Sequence, residues 1–302
     1  MSEYDAAIIG AGPAGLTAGI YCARYGMKTI IIDKGLIGGT ATWANSIQNY
    51  PGFNDISGLE LMQKFREQAE KAGAEIEMET VTGIKLKGNE KEIIIEGKTI
   101  KTKTIIIAVG AKSKWLKVKG EKEFLNKGVH FCATCDGPMY NGKEVVVIGS
   151  DNRAAEEAIY LSTVTKKVTL ICPKQELNAE KAKLETLKEK KVEIMLNTTV
   201  TGFEGKQMLE KVLIKLKGKE TKINAEGAFI FIGAEPNTEF IDVKKDPEGR
   251  ILINQKMETS VEGVFACGDC IKKELNQIAT CVGEGAIAAH SAAKYVQGKT
   301  GE

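Results

Sequence analysis

The chain has 302 residues, 43% of them hydrophobic, which is long enough for two domains of ordinary size, each with its own core. Lys and Arg number 42 against 40 Asp and Glu, a balance that speaks against a nucleic-acid or membrane-surface partner. Two histidines argue against His-rich metal sites, and seven cysteines behind an N-terminus with no export signal point to redox or metal chemistry in a soluble, cytoplasmic protein.

Apolar, strand-like runs alternate with amphipathic helical stretches, the pattern of an α/β protein with parallel sheets. The first run, AAIIGAG, enters the turn Gly10-x-Gly12-x-x-Gly15, then a helix, then a strand ending at Asp33. Gly10 permits the tight turn, Gly12 the approach of a phosphate, Gly15 the packing of helix on strand, and Asp33 can accept from ribose hydroxyls. Beyond it come Gly38-Gly39 and Asn49-Tyr50-Pro51-Gly52. KLKGNEKE (85–92) reads as a solvated hairpin turn, and IIIAVGA (105–111) closes the first half.

CATCD follows. Cys132 and Cys135, two residues apart at a helix start, read as a dithiol, with Asp136 beside them as a proton donor. Glu144–Ile171 repeats the strand–turn–helix–strand pattern of Ala6–Asp33. KLKGKETK (215–222) is a second hairpin turn, and FIFIGAE (229–235) closes the second half as IIIAVGA closed the first. GVFACGDC reads as a further strand of the first module, which nests the second inside it. Its Gly268-Asp269 suits a flavin chain hydroxyl, and the helix after Gln277 can turn its N-terminus to a flavin carbonyl edge. FAD is therefore the expected nucleotide. A competing reading pairs Cys132-x-x-Cys135 with Cys267-x-x-Cys270 as a zinc site. Cys22, Cys172 and Cys281 read as buried, inert thiols.

In their order along the chain, GAGPAG, GG…NYPG, CATCDG, the central nucleotide turn and GD…QIAT resemble the low-molecular-weight, FAD-dependent thioredoxin reductases. The resemblance implies two Rossmann-like, three-layer nucleotide-binding domains, the second inserted in the first. FAD would bind 1–112 with 243–302, and the dithiol would lie in 115–240. It also implies a homodimer that acts on a thioredoxin-like protein after a large domain rotation, with no metal. FAD contacts would fall on Gly10, Gly12, Pro13, Ala14, Gly15, Asp33, Lys34, Gly38, Gly39, Thr40, Asn49, Val81, Ala108, Gly110, Gly268, Asp269, Gln277 and Ile278. Cys135 would face the flavin, Cys132 would attack thioredoxin, and Asp136 would protonate the thiolate.

The chain departs from that pattern where the family binds NADPH. Its GxGxxA falls on Gly149-Ser150-Asp151-Asn152-Arg153-Ala154, and its His-Arg-Arg…Arg cluster on Cys172, Pro173, Lys174 and Asn178. Only Lys174 keeps a charge. Asp151 would set a carboxylate against a pyrophosphate, with Arg153 as the cation nearest in sequence to offset it. The chain thus resembles the branches of the family that use a reduced deazaflavin coenzyme, the expected donor, or reduced ferredoxin, with NAD(P)H the alternative should Arg153 fold back on Asp151. The many lysines and isoleucines fit a thermophilic prokaryote. Asn276, where the family often carries an arginine, removes a positive charge near the flavin.

Overall fold

The computed structural model describes residues 4–35, 37–44, 47–87 and 90–300. The chain divides into two units, Met1–Lys112 with Glu235–Glu302, and Ser113–Ala234. The return to the first unit comes at Glu235, ahead of the 243 expected from sequence.

In the first unit, β1 (Tyr4–Ile9), β2 (Thr29–Asp33) and β3 (Glu75–Met78) pair in parallel. Helix α1 (Pro13–Arg24) joins the first two and α2 (Gly58–Ala72) precedes the third. Ala6, Ala7, Ile8 and Ile30–Ile32 are fully buried, as uninterrupted apolar strands must be when both sheet faces are covered. Proline at the first position of α1 forfeits only an amide that has no partner inside the helix. Ser57 caps α2, accepting from the Glu60 N–H at 3.2 Å, and Gly73 ends it in the left-handed conformation (φ 104°).

The antiparallel strands β4 (Val81–Lys87) and β5 (Glu90–Ile95) lead into β6 (Lys98–Ile107). The tip of the KLKGNEKE hairpin, residues 88 and 89, lies outside the described residues. One edge of β6 pairs with β1 over Thr102–Ile107. The other pairs with β5 over Lys98–Thr102 and then, in parallel over Ile105–Ile107, with a strand from the far end of the chain, Val264–Ala266. The sheet order among the described residues is β3-β2-β1-β6-β5-β4 with this seventh strand on β6. The C-terminal helix, Ile278–Thr300, packs against α1.

The chain passes between the units at β7 (Ala111–Ser113) and, on its return, at Ala234–Pro236. The second unit holds a parallel sheet of β8 (Val129–His130), β9 (Glu144–Gly149), β10 (Lys167–Ile171), β11 (Glu193–Met195) and a last strand, Gly227–Phe231, in the order β11-β10-β9-(227–231)-β8. Its helices are the short α3 (Ala133–Asp136), α4 (Asn152–Val164) and α5 (Lys181–Glu189). A meander of β12 (Thr198–Gly205), β13 (Leu209–Leu216) and β14 (Lys219–Asn224) supplies a third layer. Strand β9 shows how the layers are built: Val145 and Val147 join α4 in one core, while Val146 and Ile148 join Phe203, Val212 and Ile214 of the meander in the other. KLKGKETK makes the tight β13–β14 turn, with Lys217 (φ 49°) and Gly218 (φ 80°) both left-handed. We number the last elements β15 (Gly227–Phe231), β16 (Ala234–Pro236), β17 (Val264–Ala266) and α6 (Ile278–Thr300).

Candidate active site

In the first unit β1 delivers the chain into Gly10, whose φ of 106° and closeness to the Ala108 carbonyl admit no side chain. A Cβ on Gly15 would strike the Gly10 carbonyl, so the two glycines lock helix to turn. Asp33 is central to this turn: its Oδ2 accepts from the Ala11 N–H at 2.6 Å and its Oδ1 from the Gly35 N–H at 2.9 Å. Lys34 follows on the surface. Gly12, the N-cap of α1, offers no side-chain acceptor, and a Cβ there would meet nothing within 4 Å. The head of α1 thus carries no side-chain cap at the positive end of the helix dipole, a setting that suits a phosphate.

Other segments of the unit converge on this turn. The Gly38 N–H donates to the Ala11 carbonyl at 2.7 Å, and Gly39 and Thr40 open a 3-10 turn. Ala108 donates to the Ile9 carbonyl at 2.8 Å, and Gly110 (φ 62°) accepts from the Asn237 N–H at 3.3 Å. The Asn49 amide donates to Gln277 Oε1 at 3.1 Å, joining residues far apart in sequence, and Ile278 begins α6. Val81, half-buried, opens β4.

Gly268 (φ 81°) and Asp269 follow β17. Asp269 is held by a polar network absent from the sequence reading. Lys273 Nζ lies 3.1 Å from Asp269 Oδ1 and 3.0 Å from Glu284 Oε2, which also accepts from the Gly268 N–H at 2.9 Å. Burial works against the Lys273 charge, yet Cys281, Asp269 and Glu284 hold its pKa above the ordinary lysine value. Lys273 is committed to these carboxylates, so it does not replace the charge missing at Asn276. Burial raises the Cys270 thiol to about 12 and pushes Cys267 and Cys281 well up, which leaves all three protonated and unreactive at neutral pH. Among the described residues no group of three or more His, Cys, Asp or Glu is placed to hold a metal ion.

In the second unit Cys132 and Cys135 form a disulfide with Cα atoms 5.4 Å apart. Cys132 sits at the N-cap of α3, its sulfur accepting from the Cys135 N–H at 3.2 Å. Both cysteines are half-buried, whereas the other five are free and buried. Asp136 ends α3, and its Oδ2 lies 3.2 Å from Nδ1 of His130, a residue to which the sequence reading gave no role. His130 Nε2 is 2.7 Å from the Tyr140 hydroxyl, and the ring stacks on Phe229.

The second nucleotide turn differs from the first. Asp151 is the N-cap of α4, and its Oδ1 accepts from the Ala154 N–H at 3.1 Å. The positive helix end that would meet a pyrophosphate already holds a carboxylate. Arg153 does not offset it: the guanidinium lies over the Phe231 ring and 3.9 Å from Glu157. The loop carrying Lys174 and Asn178 is tied down, with the Asn178 N–H donating to the Ser150 carbonyl at 3.1 Å. The Asn152 side chain exchanges two hydrogen bonds with Glu180.

The profile of the pyridine nucleotide-disulphide oxidoreductases matches residues 4–285. The thioredoxin reductase of Ureaplasma parvum is 41% identical over 97% of both chains, and that of Bacillus subtilis 39% identical over 98% of this chain and 97% of the relative. The crystal structure of thioredoxin reductase from Streptococcus pyogenes superposes with a TM-score of 0.91 at 37% identity, covering 98% of each chain.

Proposed function

The chain belongs to the pyridine nucleotide-disulphide oxidoreductase family, and from that premise we propose that it is a thioredoxin reductase whose electron donor is a reduced deazaflavin coenzyme in place of NADPH. It is a flavin-dependent oxidoreductase with FAD as cofactor. The head of α1 fits that group: no side-chain cap, no Cβ at Gly12, and Asp33 and Asp269 fixed in orientation. Gly10–Gly15, Asp33 and Lys34 would hold its adenosine and pyrophosphate end. Gly38–Thr40, Asn49, Val81, Ala108, Gly110, Gly268, Asp269, Gln277 and Ile278 would hold the remainder. When bound, FAD accepts reducing equivalents and delivers them to a disulfide.

The Cys132–Cys135 pair is the acceptor. Once reduced, the Cys132 thiolate attacks the disulfide of a thioredoxin, forming a mixed disulfide, and the expelled thiolate takes its proton from Asp136. The Cys135 thiolate then attacks the Cys132 sulfur, which restores the internal disulfide and releases reduced thioredoxin. The N-cap position of Cys132 and the Cys135 amide favour the thiolate there. A cytoplasmic location fits the five free, buried cysteines.

The observation that carries the choice of donor is the Asp151 cap on α4. A phosphate at ~4 Å from that carboxylate costs on the order of 4 kcal/mol at an effective dielectric near 20, about three decades of affinity. Without bidentate arginines in the adjoining loop, Lys174 is the one charge left at those positions to favour a 2′-phosphate, and as a point charge it discriminates weakly. The test is anaerobic: the yellow protein is mixed in turn with NADPH, NADH, reduced deazaflavin coenzyme and reduced ferredoxin while the flavin band is followed. Rapid bleaching by deazaflavin alone is expected. Bleaching by NADPH at a comparable rate overturns the donor assignment, and bleaching by ferredoxin alone replaces it.

A further inference from the structure

His130 stands two residues before Cys132 on β8, is 2% exposed, and lies among groups that leave it few roles. Phe229 of β15 stacks on one face at 5.3 Å. Tyr140 meets Nε2 at 2.7 Å, edge-on to the ring. Nδ1 points to Asp136 Oδ2 at 3.2 Å but, in this disulfide state, is not aligned as a hydrogen bond and has no other partner. A buried ring nitrogen without an aligned partner is costly, and here it lies beside the one carboxyl at the dithiol. We propose that His130 is a positioning residue: with its tautomer fixed by Tyr140, it aims an Nδ1–H at Asp136 and governs when that carboxyl carries its proton. This inference rests on the role given to Asp136 above.

The Tyr140 hydroxyl is the group that sets the tautomer. Burial first, and then the charges of Asp136 and Glu226, push its pKa above the ordinary tyrosine value, so it keeps its proton. Donating that proton to Nε2 leaves the hydrogen on Nδ1, facing Asp136. A further charge at the cage is Lys143, whose ammonium lies 5.4 Å from the centre of the Tyr140 ring. A neutral N–H donor favours the ionised carboxyl and so lowers its proton affinity. The misalignment in the disulfide state leaves a small turn of the Asp136 side chain as the movement that completes the bond.

The experiment uses the FAD-loaded protein, photoreduced without oxygen and mixed with oxidised thioredoxin from pH 5.5 to 9, with recovery of the flavin band as the rate. In the wild type the rate is expected to fall on the alkaline side, where proton delivery to the departing thiolate fails. His130→Ala is expected to move that fall upward by about one pH unit, and His130→Gln, which keeps an N–H donor, to restore most of it. Asp136→Asn separates this inference from the reading it rests on. If that variant removes the alkaline fall but His130→Ala leaves it at the wild-type pH, His130 has no such role. If Asp136→Asn changes nothing, both fail. Should His130→Ala not fold, histidine-labelled wild type gives the answer, because the chain has only two histidines. Nitrogen NMR is expected to show the buried imidazole neutral, with its hydrogen on Nδ1 and a resonance that moves in Asp136→Asn. A hydrogen on Nε2, or no response to Asp136→Asn, overturns the proposal.

Discussion

Gly12 and Asp151 stand at the heads of two helices that follow two similar strands, and the atoms beyond Cα decide what each turn can take. At Gly12 there are none, so no side chain caps the helix; at Asp151 a carboxylate has taken the Ala154 amide. The same economy of charge governs Asp269, where Lys273 serves two carboxylates at once. The proton affinity of Glu284 is raised, by burial and against the pull of Lys273, above the ordinary 4.5. The folded state therefore binds that proton more tightly than the unfolded chain does. Stability falls as pH rises from about 4.5 through the raised pKa, and the loss is constant above it. In Glu284→Gln this group no longer titrates. Calorimetry from pH 4 to 8 is expected to show the melting temperature of Glu284→Gln gaining on the wild type as pH rises, and a constant gap would refute the assignment.

Among the elements, α4 is where stability and function are easiest to separate. Its cap is worth about 1 kcal/mol if Asp151 becomes Ala, and only a few tenths if it becomes Gly, because solvent then reaches the freed amides. Asp151→Gly is accordingly expected to melt within about 2 °C of the wild type, while its flavin is bleached by NADPH at least tenfold faster. Equal bleaching rates in the two proteins would remove Asp151 from the account of donor choice. This carboxylate was legible in the sequence because it breaks a rule with known spacing. The strands leading into both turns were equally plain, since continuous apolar runs such as VVVIG have few other uses. The β12–β14 meander was visible only at its β13–β14 turn, where Lys and Gly mark the bend; its strands mix charge with apolar residues, and β14 lies largely exposed. His130 gave no signal. A single histidine before a Cys-x-x-Cys has no spacing rule, and its significance comes from Asp136, Tyr140 and Phe229 closing around it. Lys273 and Glu284 were hidden for a related reason, as charged residues near a helix start read as solvated until the fold buries them.

At the scale of the molecule, the inserted unit is one uninterrupted stretch with two cores of its own, one on each face of its sheet. A fragment spanning Ser113–Ala234 is expected to fold alone, with one cooperative thermal transition, and to form the Cys132–Cys135 bond. A fragment lacking near-ultraviolet signal or cooperativity would show that the cores do not suffice.

The first unit has no such independence, because one edge of β6 is shared between β5, made just before it, and β17, made some 160 residues later. On the ribosome, Ile105–Ile107 therefore wait with their peptide groups open along that edge until Val264–Ala266 leave the exit tunnel. By then every residue of the insert has been synthesised. Translation thus matures the middle of the chain first and seals the cofactor-binding sheet last, so flavin capture becomes the closing event of biosynthesis. A stalled or truncated chain ending before β17 would carry a folded redox centre beside an exposed, adhesive strand, the kind of product that chaperones and proteases are adapted to intercept.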